Sequence, residues 1–228
     1  TSIAHTPTLF YAYFLGLILY IGVLIFLGWR KKVVQGFIVL FATLILNSFW
    51  LLPNLYFITN NGEDVVSSKI HEQFSDKAFL TGKKFGTIED TAVLKNFLFE
   101  WGEYDEKQGQ FVDLFDEWQG HLKNPLVVFI GYGVFAMVLL GIVISLRNKE
   151  YYTLAILPVF AVSFFFIAND FVLFKGLFSF LQNNIPLFNE ALRFPFTKFS
   201  ILLMFAYAVY YGRGLGFLAT SGKVVHWQ

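Results

Sequence analysis

Uncharged apolar runs alternate with short charged breaks along most of this chain, and the run lengths predict its elements. Thr8 to Trp29 is 22 residues without a charge. At about 1.5 Å of rise per residue, a helix of that length exceeds the roughly 30 Å hydrocarbon core of a bilayer. The pattern predicts a transmembrane helix there. Arg30, Lys31 and Lys32 follow, and Val33 to Ile58 then runs uncharged for 26 residues, which predicts a second span and a helical hairpin closed by a tight basic turn. Leu126 to Leu146 predicts a third span, ending in Arg147, Asn148 and Lys149, and Tyr151 to Ala168 a shorter fourth, making a second hairpin. A fifth span from Phe199 has only 14 uncharged residues between Lys198 and Arg213. It crosses only if both cations snorkel toward opposite interfaces, and a re-entrant segment is the alternative. Gly212-Arg213-Gly214-Leu215-Gly216 reads as a breaker, and the tail to Gln228 as a cytoplasmic linker.

Between the hairpins, Val93, Leu94, Phe97, Leu98 and Trp101 fall at helical spacing, as do Phe111, Leu114, Phe115, Trp118 and Leu122. Two short amphipathic helices are predicted, over Ala92 to Trp101 and Phe111 to Leu122. Thr59 to Asp90 is richer in Gly, Ser, Asn and charge, with the turn signal Asn60-Asn61-Gly62, and is expected to be mostly irregular. After the fourth span, Phe171 to Phe174 and Leu177 to Leu181 form an apolar stripe suited to the membrane interface.

The expected fold class is therefore all-α: a polytopic helical membrane protein with four to five transmembrane helices and one long acidic extracytoplasmic loop. Its parts are a first hairpin (1–58), the acidic loop with two short helices (59–123), a second hairpin (124–168), an interfacial helix with an Arg-x-Pro-x-x-Lys run (169–198), and the fifth span with its tail (199–228). Both short connections are basic. The positive-inside rule puts Arg30–Lys32 and Arg147–Lys149 in the cytoplasm of a multi-pass plasma-membrane protein and the long loop outside.

Composition agrees with this reading and excludes an ordinary soluble enzyme: 56% of residues are hydrophobic, 20% aromatic and only 14% charged. The net charge of +1 hides a segregation, since 13 of the 16 acids fall between Glu63 and Glu117. With no cysteine, disulfides, thiolate nucleophiles and Cys-ligated metals are excluded. The chain begins at Thr1, and its only methionines, Met137 and Met204, lie inside apolar runs, so a piece of a longer or processed chain is expected.

The spans carry no ionisable side chain at bilayer depth, which counts against an ion-coupled transporter. Any site is expected at the outer surface. Arg193-Phe194-Pro195-Phe196-Thr197-Lys198 sets two cations at headgroup level just before a span. An Arg fork and a Lys point charge suit a lipid-linked phosphate or pyrophosphate, whereas the plainer reading makes both residues membrane anchors. Asp113, Asp116 and Glu117 share one helical face, where a solvated surface competes with a divalent-cation site. Trp101 and Trp118, with Tyr104, offer rings for sugar stacking or for a small loop core. His5, His71, His121 and His226 have no ligand spacing, so no metal or other cofactor is assigned, with a divalent metal left open. Nucleic acid is disfavoured as a partner by seven basic against 13 acidic residues in the loop.

Gly176 to Phe188, followed by Arg193 to Phe199, resembles the late outer loop of large prokaryotic integral-membrane glycosyltransferases of the GT-C superfamily, including arabinofuranosyltransferase-like members and related polytopic membrane proteins. Asn47 to Pro53 resembles the end of an earlier span in those proteins. The resemblance implies transfer of a sugar from a polyprenyl-phosphate donor to a glycan or protein acceptor on the extracytoplasmic face. Arg193 and Lys198 would contact the donor phosphate, Asp170 would stand behind them, and the catalytic carboxylate would precede Thr1. A non-enzymatic scaffold, or a transporter subunit for lipid-linked polymers, is the competing class.

Overall fold

The computed structural model describes residues 2–28, 33–68, 80–107, 109–113 and 115–224, without the side chains of 2–6, 65–66, 116–117 and 221–224. The Arg30–Lys32 turn, His71, His226 and the side chains of His5, Asp116 and Glu117 lie outside that description. Helices α1 (Ser2–Phe26) and α2 (Val33–Val66) form the first hairpin. Then come α3 (Ile88–Ala92), a 3-10 turn (Phe97–Glu100), strands β1 (Gly102–Asp105) and β2 (Gln110–Asp113), and α4 (Asp116–Lys123). The second half comprises α5 (Pro125–Asn148), α6 (Tyr151–Ile167), α7 (Val172–Asn184), α8 (Phe188–Ala191) and α9 (Pro195–Val224).

Among the described residues four helices are long and apolar enough to cross a bilayer: Pro7–Phe26, Val33–Asp64, Pro125–Asn148 and Pro195–Thr220. A fifth crossing is counted if α6 and α7, which meet at 80°, are taken as one bent pair. The chain is a multi-pass membrane protein, mostly helical, and its described residues include one small antiparallel hairpin.

Three predicted features differ. The glycine-rich run at 212–216 does not break the chain, because α9 continues through it to Val224. Asn60-Asn61-Gly62 is no turn either: Thr59 Oγ1 donates to the Leu55 carbonyl at 2.9 Å and Asn60 Nδ2 to that of Tyr56 at 2.7 Å, so the polar residues bond back along α2. Neither predicted loop helix forms as drawn. Leu94 turns left-handed (φ 58°), and paired bonds close the end of α3, from Leu94 N–H to Thr91 O at 3.1 Å and from Lys95 N–H to Asp90 O at 2.8 Å. Phe111 to Asp113 pairs as a strand with Gly102 to Glu103 and Tyr104, the Tyr104 and Phe111 rings meeting edge-on at 5.5 Å, and helix resumes only at Asp116.

The core lies between α5, α6 and α9, where Val138, Ala155, Ala168, Leu203 and Ala206 are fully buried and Phe166 stacks on Phe199 at 4.4 Å. α1 covers α6 and α9 through Gly16, which faces Leu202 and Val159. α2 joins α1 by a bond from the Tyr11 hydroxyl to Asn54 Oδ1 (2.9 Å) and an edge-on Phe10–Trp50 contact.

A second left-handed residue, Lys149 (φ 52°), makes the tight turn from α5 to α6, with Lys149 N–H bonded to Leu146 O and Glu150 N–H to Ser145 O. That turn presents Glu150 at the start of α6, where the helix dipole favours a carboxylate, and Arg213 of α9 pairs with it. Both partners are partly exposed, so Arg213→Ala is expected to cost about 1 kcal/mol. That amounts to a fall of about 2–4 °C in the unfolding midpoint in detergent. An unchanged midpoint would show that the pair adds no stability.

Candidate functional site at the loop end of the bundle

The site is assembled where residues 80–101 settle on the ends of α6 and α9. Gly86 permits the closest approach. A Cβ there would run into the Asn169 amide oxygen and come within 2.9 Å of the Asp170 nitrogen. Instead the Gly86 carbonyl accepts the Asp170 N–H at 3.0 Å. Thr87 then caps α3, its hydroxyl oxygen accepting from Asp90 N–H at 3.1 Å. Asn96 caps the 3-10 turn through Leu98 N–H at 2.9 Å. These caps hold Thr91 fully buried, its carbonyl reached by the Tyr207 hydroxyl of α9 at 3.4 Å.

The 3-10 turn drives Phe97 into a cluster with Phe85 and Phe194. Phe97 stacks on Phe194 with centroids 4.5 Å apart, and Trp101 meets both rings edge-on. Beside the cluster is a small cleft of about 20 Å³, partly open to solvent, lined by Phe85, Lys95, Asn96, Phe97, Asn169 and Phe194 among others. Asn169 is only 4% exposed, and among the described residues its Oδ1 has no hydrogen-bond partner.

The two predicted phosphate contacts flank Phe194. α9 starts at Pro195, with the Phe194 carbonyl accepting from the Thr197 hydroxyl at 2.8 Å. One turn in, Lys198 is 4% exposed, and its ammonium lies 5.9 Å from the Phe194 ring centre. It is buried, not snorkelled outward. Among the described residues no carboxylate pairs with it, and the nearby Arg193 guanidinium repels it. Arg193 is half-buried and directs Nε toward the Glu190 carbonyl at 3.5 Å. Gly82 passes over the Arg193 backbone.

Asp170 is engaged elsewhere, pairing with Lys175 at 3.0 Å, and it does not cap α7. Trp101 belongs to the aromatic cluster and is half-buried. Trp118 is 60% exposed on α4, next to His121 and outside the cluster. Asp113 accepts from Gln119 Nε2 at 2.8 Å. Among the described residues no three His, Asp or Glu side chains converge as metal ligands. The structure thus joins Arg193, Lys198 and Trp101 through Phe194 and adds Lys95 and Asn169. No periodicity marks the last two, since one sits in a loop and the other ends an apolar run.

The chain matches no protein-family model, no curated protein and no solved structure.

Proposed function

We propose that Arg193 and Lys198 bind the phosphate of a polyprenyl-phosphate-linked sugar, and that the chain is part of a membrane glycosyltransferase using that donor on the extracytoplasmic face. The observation that carries this reading is the burial of Lys198 without a carboxylate partner among the described residues, next to a second cation. Taking an ammonium out of water costs several kcal/mol unless an anion compensates it. A phosphate relieves both the desolvation and the Arg193–Lys198 repulsion, and the Arg fork matches its oxygens bidentately. The position selects a lipid-borne phosphate, because the pair stands in the first turn of a helix long and apolar enough to span, where a headgroup and its tail meet protein together. A glycan or protein acceptor completes the reaction, and the carboxylate base comes from outside these residues.

The test is polyprenyl phosphate binding to the protein in nanodiscs, with phosphate-free polyprenol and inorganic phosphate as comparators. Arg193→Ala and Lys198→Met are expected to lower affinity at least about tenfold each, the loss of one charge-assisted contact. Lys198→Met should fold as well as wild type or better, since an apolar chain of similar volume removes an uncompensated buried charge. Wild-type affinity in both variants, or a Lys198→Met protein that is merely less stable, would make the pair a structural anchor and favour a scaffold.

A further inference from the structure

We infer that α7 lies flat in the membrane interface at the loop end, with its exposed apolar stripe immersed in that leaflet and the bilayer itself as its partner. Three distinct faces run along this helix. Phe174 and Phe178 turn inward, Phe178 being 1% exposed and its ring meeting those of Phe165, Phe166 and Phe188. Val172, Leu173, Leu177 and Phe180 are 84%, 77%, 55% and 59% exposed, and with Gly176 they form one continuous outward stripe at helical spacing. Lys175, Ser179 and Gln182 share the remaining flank at i, i+4, i+7, and Lys175 is held by Asp170 at 3.0 Å.

Geometry excludes the other role for this helix. α6 has 17 residues, about 25 Å of helix, and α7 turns from it by 80°. The 13 residues of α7 then add only about 3 Å along the α6 axis, so α7 runs beside the span's end and does not lengthen it. A helix held across a span, with separate apolar and polar flanks, satisfies both only at a water–lipid boundary. The spans expose apolar residues of the same kind, such as Ile201, Met204 and Phe205 of α9, which in a membrane protein face acyl chains.

The chain contains no cysteine, so single cysteines report cleanly. Leu173→Cys, Leu177→Cys, Phe180→Cys and Lys175→Cys, all at exposed positions that should leave the fold intact, are each labelled with bimane in lipid vesicles. Nitroxide-bearing lipids with a shallow label are expected to remove most of the fluorescence at 173, 177 and 180, while aqueous iodide has little effect; Lys175→Cys should show the reverse. Stripe positions quenched by iodide would overturn the inference by placing the stripe in water. Stripe positions shielded from both quenchers would overturn it in favour of a second protein copy.

Discussion

Gly141→Val should lower the unfolding midpoint of the detergent-solubilised protein by about 3–10 °C, the effect of about 1–3 kcal/mol of overpacking in a chain of this size. Gly141 is where α5 meets α9 backbone to backbone. A Cβ placed there collides with the Tyr210 carbonyl oxygen, a main-chain atom that cannot swing aside as a side chain would. The reciprocal contact is looser but still a clash: a Cβ on Gly214 would come within 2.6 Å of the Met137 carbonyl oxygen. Such small-residue crossings are how membrane helices gain packing when lipid supplies no hydrophobic drive. A shift of α9 away from α5 would also disturb the bond that its buried Tyr210 hydroxyl makes to the Thr153 carbonyl of α6 at 2.7 Å. Gly133→Ala and Gly212→Ala are the controls, since a Cβ at either meets nothing within 4 Å. Their midpoints should match wild type or rise slightly, because alanine is the better helix former. A Gly141→Val midpoint equal to theirs would show that the crossing tolerates separation.

The same glycines explain what was legible in the sequence and what was not. Length and absence of charge suffice to locate a span, since a bilayer demands about 20 apolar residues and satisfied backbone groups. α1, α2 and α5 accordingly fall where the uncharged runs place them. Gly212 to Gly216 reads as a breaker because glycine disfavours helix in water. In a bilayer an unbonded backbone is far more costly, so the helix persists, and Gly214 serves contact with Met137, which no local pattern encodes. The loop fails for another reason. Phe111, Phe115 and Trp118 fit helical spacing, yet Phe111 pairs across strands with Tyr104 and only Trp118 lies in helix. At the site, Arg193 and Lys198 stand out because they precede an apolar run. The packing of Phe97 on Phe194, the ring beside Lys198, and of Gly86 against Asn169 joins residues far apart in the chain and has no local signature.

Phe97→Ala is the second large effect, expected to cost about 3–5 kcal/mol, the range for truncating a buried aromatic side chain. Phe97 is 5% exposed, stacked on Phe194 and edged by Trp101. The loss should appear first in this segment, because the cluster is one of its contacts with the bundle, beside Ile88 and Leu94 packed on the core, Val93 against Gly131, the Gly86–Asp170 bond and the Thr91–Tyr207 bond. Opening that segment is expected to withdraw Ile88 and Leu94 from the surface of the α5–α6–α9 core while the three helices stay packed on one another. Amide hydrogen exchange in residues 87–101 should therefore accelerate by about a hundredfold or more, one decade per 1.4 kcal/mol, with the spans unchanged. Phe111→Ala, at a ring 76% exposed, should alter stability by less than about 0.5 kcal/mol. If exchange in 87–101 stays at the wild-type rate, the segment is held by something other than the aromatic cluster. If it rises together with exchange in the spans, segment and bundle unfold as one unit. Local opening alone identifies 80–101 as a separately docked cover over Phe194, the ring against which Lys198 is buried.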